Sequence, residues 1–180
     1  MKRFILTGTP GSGKTTILRL LERRGRHVVE EAATDVIGRA RARGEAEPHL
    51  RPSFVTEIVE LQKRRQIGAA MAGGEAQFYD RSPICTYALS LWLGHPIPTA
   101  LADELRRIDD QQIYDRRVFF VENLGFCEPT GARRISFEDA LRFEALHVEV
   151  YRALGFESLR IPAADPEARA AAIENHAREV

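Results

Sequence analysis

The chain has 180 residues, a length typical of one domain with a single core. Its 26 Lys and Arg residues balance 26 Asp and Glu residues, so it offers no broad positive field for a nucleic-acid polymer. Apolar residues make up 44% of the sequence, which argues against disorder, and no apolar run is long enough to span a membrane.

The sequence predicts strands that alternate with helices. Five short, continuous apolar runs are typical of strands buried on both faces of a parallel sheet, and they cover residues 3–6, 27–29, 77–79, 118–121 and 158–161. Helical patterns separate them at residues 15–24, around 35–38, from 53 to the glycines at 73 and 74, at 83–93, around 101–108, at 136–154 and at 165–176. The alternation predicts one α/β domain over residues 1–180, a three-layer fold with a five-stranded parallel sheet flanked by helices.

Several of these helices carry end signals. Ser53, Ser136 and Asp165 are predicted N-caps, and Ser136 begins a sequence of the capping-box form. In the helix after Ser136, apolar residues recur every three or four positions and predict the face that turns toward the core: Phe137, Leu141, Ala145, Val148, Tyr151 and Leu154.

The strongest motif follows the first strand. Residues 8–15, the phosphate loop, read GTPGSGKT and satisfy G-x-x-x-x-G-K-[ST] between a predicted strand and a predicted helix. Glycines in this pattern let backbone N–H groups turn inward around phosphate oxygens, and the helix N-terminus favours negative charge. The predicted nucleotide-binding residues are Gly8, Thr9, Pro10, Gly11, Ser12, Gly13, Lys14, Thr15 and Thr16.

Within this loop, Lys14 is expected to reach the β- and γ-phosphates, and the Thr15 hydroxyl to bind Mg²⁺. A second acidic group near the metal is expected at a strand end. Asp80, followed by Arg81 and Ser82, and Glu122, at the end of an apolar run, are both candidates. We favour Asp80 because the D-R-S sequence resembles a segment of nucleoside and nucleotide kinases.

A guanine-nucleotide switch of the Ras type is not expected. The chain has no N-K-x-D segment, and its D-x-x-G sequence at residues 35–38 falls in a predicted helix. The ligand can be ATP or GTP, since no motif that would read the base is recognisable.

Candidates for the acceptor side come from four places in the sequence. Glu30 and Glu31 end the second strand, which is expected beside the first, and one of them can accept a hydroxyl proton or hold a metal-bound water. Arg81 can contact substrate or phosphate. On the long third helix Gln62 and Arg65 can face an acceptor cleft. Arg133 and Arg134 precede a capped helix, where a mobile lid would bring a guanidinium over the transferred phosphoryl group.

Other residues are interpreted as structural. Cys85 and Cys127 have neither a metal-ligand spacing nor a disulfide pattern, and we expect packing roles in the reducing cytoplasm. The N-terminal apolar stretch is too short for a secretory signal. The five histidines form no zinc-binding pair, and the aromatic segment 87–92 is interpreted as the buried face of a helix and not as a base-stacking platform.

Taken in order, the phosphate loop, VVEEAATDVI, FYDRSPICTYAL, VFFVENLGF and the final helical segments resemble the AAA-domain P-loop proteins grouped with the kinase domain of NadR. The resemblance covers nearly the whole chain. It implies a P-loop NTPase fold of the nucleoside-kinase type with an arginine-bearing lid segment. It also implies roles for Glu30 and Glu31, for Asp80 and Arg81, and for Arg133 and Arg134. Because relatives include kinases of nicotinamide riboside and regulators that bind GTP and acidic lipid, the resemblance does not fix the substrate.

From sequence, the protein is therefore expected to be a cytoplasmic small-molecule kinase. It would transfer the γ-phosphate of Mg-ATP to a hydroxyl of a nucleoside-like acceptor, mainly by alignment and charge stabilisation. The alternative is a nucleotide-dependent regulatory module that hydrolyses ATP or GTP slowly and presents a lipid- or protein-binding surface. No nucleic-acid polymer and no transmembrane segment is expected.

Overall fold

A five-stranded parallel sheet forms the centre of the chain in the computed structural model, which describes residues 1–71, 73–124 and 136–179. The strands are β1 (Lys2–Thr7), β2 (His27–Val29), β3 (Ala76–Asp80), β4 (Arg117–Val121) and β5 (Glu157–Ile161). All five predicted strands are confirmed, and each predicted end lies within one residue of the observed end.

Seven helices connect or follow these strands in the described residues: α1 (Lys14–Arg23), α2 (Ala32–Ala42), α3 (Phe54–Ala69), α4 (Pro83–Trp92), α5 (Thr99–Asp110), α6 (Phe137–Ala153) and α7 (Pro166–Arg178). The predicted caps are confirmed for α6 and α7, where the side chains of Ser136 and Asp165 accept hydrogen bonds from backbone N–H groups. Ser53 occupies the N-cap position of α3, as predicted, but its hydroxyl forms no capping hydrogen bond and donates to the Glu57 carboxylate. A short 3₁₀ helix at Pro48–Leu50 was not predicted.

The strand order is β2-β3-β1-β4-β5, so the expectation that the second strand lies beside the first is wrong. Leu6 of β1 lies opposite Asp80 of β3, and Thr7 lies opposite Phe120 of β4. Both edges of β1 are thus paired, and the three-residue β2 is an edge strand next to β3. The carboxyl ends of all five strands meet at one edge of the sheet, and β1 lies where the strand order changes direction, the usual ligand position in such folds.

Successive side chains of β1 point to opposite faces of the sheet and enter two separate clusters. Phe4 and Leu6 pack with α1 and α7, whereas Ile5 packs with residues of α4, α5 and α6. Helices therefore cover both faces and give the predicted three layers. No helix in the described part of the chain is long and apolar enough to cross a bilayer.

The predicted core-facing side of α6 is only partly confirmed: Tyr151 is fully buried, but the rest of the buried face lies about one residue position away from the predicted one. Phe137 and Leu141 are each 40% exposed. The buried face instead contains Ala140, Phe143, His147, Val150 and Tyr151. This face of α6 packs against α4, and the register shift turns His147 into the interior, where the apolar pattern predicted no polar side chain.

A cluster of charges on the outer face fixes α7 to the end of α1. The Glu174 carboxylate accepts hydrogen bonds from Arg24 and Arg26, each at 2.7 Å, and its side chain is 10% exposed. Burial alone would raise the pKa of Glu174, but the hydrogen bonds from Arg26 and Arg24 outweigh burial and lower it.

A lowered carboxylate pKa predicts that the contribution of Glu174 to stability depends on pH. The stabilisation is complete above the ordinary pKa of 4.5 and is lost as the pH falls below that value and through the lower pKa of the folded state. We expect Glu174→Gln to lower the urea midpoint at pH 7 and to lower it much less at acidic pH. Glu167→Gln is the matched control, because that side chain also meets Arg24 but is 61% exposed, and its effect should be small. An equal loss for Glu174→Gln at both pH values would contradict this assignment.

Candidate active site

The phosphate loop joins β1 to α1 through backbone conformations that favour glycine. Gly8, Gly11 and Gly13 have φ values of +136°, +82° and +86°. At Gly8 space is limiting as well, since a Cβ atom there would lie 2.2 Å from the carbonyl oxygen of Val121 on β4. A side chain at Gly8 would push the loop away from the sheet, so the cradle for phosphate depends on this glycine.

The Lys14 side chain folds back over the phosphate loop. Its side chain is buried, and Nζ donates hydrogen bonds to the carbonyl oxygens of Gly8 (3.1 Å) and Thr9 (2.7 Å) and to the hydroxyl of Ser12 (3.0 Å). The ammonium group is thereby held at the mouth of the loop. Phosphate oxygens entering the loop can replace these carbonyl acceptors, so the residues present fit a polyphosphate.

The two candidate metal-shell acids have different surroundings. Asp80 is 7% exposed and ends β3 directly beside β1. The Glu122 carboxylate pairs with Arg160 of β5 at 3.2 Å, and its side chain is one-third exposed. This arrangement favours Asp80. Together with the exposed Thr15 hydroxyl, Asp80 offers the hard oxygen donors that Mg²⁺ prefers.

Among the described residues there is no group of three or more His, Cys, Asp or Glu side chains that could hold a metal ion. A protein-only metal cage is therefore absent from this part of the chain. At nucleotide sites, Mg²⁺ usually binds one or two protein oxygens, and phosphate oxygens and water complete its coordination shell. The residues here fit that arrangement.

An ion pair lies next to the loop. Arg81 Nε and Glu31 Oε1 are 2.8 Å apart, with side chains 9% and 13% exposed, and Arg81 Nη2 donates to the Gly8 carbonyl oxygen at 3.2 Å. Burial alone would lower the pKa of Arg81, but the negative charges of Glu31, Cys85 and Asp80 raise it. Arg81 has a φ of +68°, an uncommon conformation for a non-glycine residue. Strained residues of this kind concentrate at functional sites.

Of the two predicted acidic residues, the structure turns Glu31 inward. Its carboxylate accepts a hydrogen bond from the Thr34 hydroxyl at 2.5 Å and borders a large cavity. Glu30 is exposed, and its backbone carbonyl accepts a hydrogen bond from Arg65 at 3.0 Å. Glu31 is thus partly buried and Glu30 is exposed, as expected for successive residues at a strand end.

The large cavity, here called the main cavity, has a volume of about 780 Å³ and lies among α2, α3, α4 and α6. Its border includes Pro10 of the phosphate loop and the pair Glu31–Arg81, so it adjoins the phosphate site. Aromatic rings supply part of the wall: Phe54, Trp92 and Phe143. A cavity of this size, lined by apolar and polar side chains together, is typical of a small-molecule site.

The structure separates the two candidates on α3. Gln62 borders the main cavity, and its side-chain oxygen accepts a hydrogen bond from Thr86 at 2.9 Å. Arg65 does not border that cavity, contrary to the expectation, because it bridges the Glu30 carbonyl and the Asp35 carboxylate. Asp35 itself lies in α2, as predicted.

Some predicted residues fall elsewhere. Arg133, Arg134 and Cys127 lie outside the described residues. Cys85 is buried, but it also borders the main cavity. The interpretation of segment 87–92 as a buried helix face applies to Ala88 and Ser90 but not to Trp92, whose half-buried ring lies 5.3 Å from that of Phe143 in the cavity wall.

Sequence reasoning missed Arg169. This α7 residue is 3% exposed, and its guanidinium donates to the carbonyl oxygens of Ser12 (2.8 Å) and Glu122 (2.7 Å), behind the phosphate loop. Burial lowers its pKa, and the charge of Glu122 acts in the opposite direction. The available signal was its place on the apolar face of α7, beside Ala170 and Ile173, where a solvated arginine is not expected.

With this geometry in hand, the comparisons identify the family. The sequence profile of a family described as an AAA domain matches residues 3–169. The chain belongs to this family. The resemblance read from the motifs is thereby confirmed. No curated protein matches the chain.

Two solved structures resemble this AAA domain. One is a deoxyadenosine kinase from M. mycoides with the product dCMP and a flexible dCDP bound, which is 14% identical with a TM-score of 0.61 over 99% of this chain and 100% of that one. The other is NadR in complex with NAD and AMP-PNP, which is 15% identical with a TM-score of 0.69 over 98% of this chain and 49% of that one. At these identities the likeness shows the fold, which is that of a nucleoside-kinase-like P-loop NTPase.

We predict that Arg169 positions the phosphate loop. Arg169→Met removes three charge-assisted hydrogen bonds to backbone carbonyls, those of Ser12, Glu122 and Ile161. Since a hydrogen bond to a charged group contributes about 1.5–3 kcal/mol, the variant should weaken ATP binding by about tenfold or more. Calorimetry measures this affinity. Arg24→Met is the matched control, since it also loosens α7 but touches no loop residue; it should lower the unfolding temperature and leave the ATP affinity unchanged. If both variants weaken ATP binding to a similar extent, Arg169 acts only through the docking of α7.

Proposed function

We propose that this AAA domain is an ATP-dependent phosphotransferase that transfers the γ-phosphoryl group to a hydroxyl of a small, nucleoside-like acceptor. The proposal is carried by one observation. The partly buried pair Glu31–Arg81 lies between the phosphate loop and the main cavity, with Arg81 bonded to Gly8 and Glu31 bordering the cavity. A molecule in the cavity would bring its hydroxyl to a carboxylate beside the reacting phosphate.

On the nucleotide side, residues 8–16 hold the polyphosphate by backbone N–H groups and by Lys14. Thr15 and Asp80 hold Mg²⁺, which when bound neutralises developing charge on the phosphate oxygens. The chain's own contribution is alignment and positive charge, the main terms in phosphoryl transfer. GTP can occupy the same loop, because the contacts proposed here are to phosphate and not to the base.

On the acceptor side, Glu31 accepts the hydroxyl proton, and Arg81 orients the Glu31 carboxylate while adding positive charge near the phosphate. Arg81 is suited to both tasks because its guanidinium has several donors in a fixed plane and stays protonated. The sequence predicts that Arg133 or Arg134 covers the γ-phosphate; both residues lie outside the described part of the chain.

A nucleoside-like acceptor is supported by the walls of the main cavity. Flat aromatic faces at Trp92 and Phe143 can stack on a heterocycle, and the Gln62 side chain can form hydrogen bonds with polar atoms at its edge. The bound molecules in the two similar structures, dCMP with dCDP and NAD with AMP-PNP, agree with this class of ligand.

The rival proposal, a slow NTPase that regulates a lipid or protein partner, needs the phosphate loop but not the main cavity or the carboxylate at its border. These two features therefore favour transfer over regulation. The acceptor is sought by incubating the protein with γ-labelled ATP and a panel of nucleosides, which distinguishes labelled acceptor from free phosphate.

Substitution of Lys14 tests the proposed binding of phosphate. Lys14→Ala removes the charge at the loop mouth and should reduce phosphoryl turnover by about 100-fold or more, while the circular dichroism spectrum stays unchanged. Turnover is measured as labelled acceptor plus labelled phosphate. Wild-type turnover in the folded variant would refute both the kinase and its rival.

Substitution of Glu31 and of Glu30 tests which of the two neighbouring glutamates accepts the proton. Glu31→Gln removes the proton acceptor and should reduce transfer to the acceptor by about 100-fold or more, with ATP affinity retained. Glu30→Gln, at an exposed carboxylate one residue away, should leave transfer near the wild-type rate. If Glu30→Gln is the damaging change, the proposed base is misassigned.

A further inference from the structure

Two hydroxyl groups contact the sulfur of Cys85 in the wall of the main cavity. Cys85 Sγ lies 3.0 Å from the Tyr151 hydroxyl of α6 and 3.3 Å from the Thr7 hydroxyl at the end of β1. The Tyr151 hydroxyl is also 3.0 Å from the Ser82 hydroxyl. Packing alone does not require two hydroxyls on a thiol, so this arrangement points to a chemical role for the sulfur.

The hydroxyl donors can all be directed toward the sulfur. The Ser82 oxygen accepts the Ile84 backbone N–H, so its own proton can be donated to Tyr151. Tyr151 then donates to Cys85, and Thr7 donates to the same sulfur. Burial, followed by the charge of Cys85, raises the pKa of Tyr151 well above its ordinary value, which keeps the phenol protonated as a donor.

His147 is a second, independent feature of the same cavity wall. It is 2% exposed, and its Nδ1 lies 2.8 Å from the Phe143 carbonyl oxygen. Because a carbonyl only accepts, Nδ1 carries the proton and Nε2 of a neutral ring has an open lone pair. Within the described residues, the buried Nε2 has no hydrogen-bond partner of normal geometry. A lone pair of this kind can accept a proton from a neighbouring thiol, and Cys85 borders the same cavity as His147.

The surrounding charges favour a thiolate. Burial alone would raise the pKa of Cys85, but the interaction with His147, the charge of Arg81 and the hydrogen bond of Thr7 together lower it to about 6. The negative charges of Glu31 and Asp80 act on Arg81 and limit this effect without reversing it. The thiolate is the reactive form of cysteine.

We propose that Cys85 and His147 form a reactive cysteine–histidine site in the main cavity, that hydroperoxides oxidise Cys85 to a sulfenic acid, and that this oxidation blocks acceptor binding. Since Thr7 and Tyr151 occupy the protein side of the sulfur, the added oxygen enters the cavity. The blocking step rests on the proposed function; the reactivity of the thiol does not.

The oxidation step balances as follows. The thiolate attacks one peroxide oxygen, so an S–O bond forms while the O–O bond breaks. Sulfur is oxidised by two electrons, and the peroxide is reduced. The departing hydroxide or alkoxide takes up the proton that the thiol has given to His147 and leaves as water or alcohol. Thiol reductants reverse the modification.

Alkylation kinetics test the thiol directly. In a Cys127→Ser background, Cys85 is the remaining cysteine. Its reaction with iodoacetamide is followed by mass spectrometry of the intact protein at a series of pH values. We expect a midpoint near pH 6 and, at pH 7, a rate about tenfold above that of His147→Gln. His176→Gln, at a histidine on α7 outside the cavity wall, is the control and should match the parent. A midpoint near the ordinary thiol value, or reaction seen only in denaturant, would overturn the proposal.

Oxidation is tested with hydrogen peroxide followed by dimedone. The expected result is one dimedone adduct per chain at Cys85, none in Cys85→Ser, and reversal by dithiothreitol when dimedone is omitted. Calorimetry should then show unchanged ATP binding, while transfer to the nucleoside panel is lost. A low alkylation midpoint in a protein that phosphorylates no nucleoside would support the thiol site and count against the kinase. Oxidation that leaves nucleoside transfer intact would overturn the blocking step.

Discussion

The carbonyl oxygen of Gly8 accepts hydrogen bonds from both Lys14 and Arg81, and this shared acceptor holds the two halves of the site together. The arrangement requires the loop to lie against β4, where no Cβ atom fits at Gly8. In the proposed function, Lys14 binds the phosphates, whereas Arg81 pairs with Glu31 at the border of the main cavity. A displacement of the loop would therefore disturb nucleotide and acceptor contacts at once.

Support for the loop comes from distant parts of the chain. Arg169 on α7 holds the Ser12 and Glu122 carbonyl groups, so the last helix braces the first loop from behind. Glu174 on the same helix fixes it to Arg24 and Arg26 at the other end of α1. The phosphate cradle is a local motif in sequence, but its rigidity depends on contacts across more than 150 residue positions.

The main cavity combines two kinds of chemistry near one surface. Aromatic rings and the Gln62–Thr86 pair suit binding of a heterocycle, whereas Cys85, His147 and Tyr151 form a polar cluster that such binding does not require. Their common location arises because α4 and α6 pack together. An occupied cavity would also shield the thiol from solvent, so acceptor binding and thiol chemistry would compete.

By itself the sequence determined the order of strands and helices, the phosphate loop and the residues at the strand ends, because hydrophobic periodicity and glycine spacing act over a few residues. It gave Glu30 and Glu31 as a pair, and Asp80 and Glu122 as alternatives. Only the tertiary structure decided that β3 lies between β1 and β2, that Glu31 faces the cavity, and that His147 and Arg169 point inward. These features depend on which helix faces pack against one another. Contacts between residues far apart in the chain determine that packing, and a local sequence pattern carries no information about such contacts.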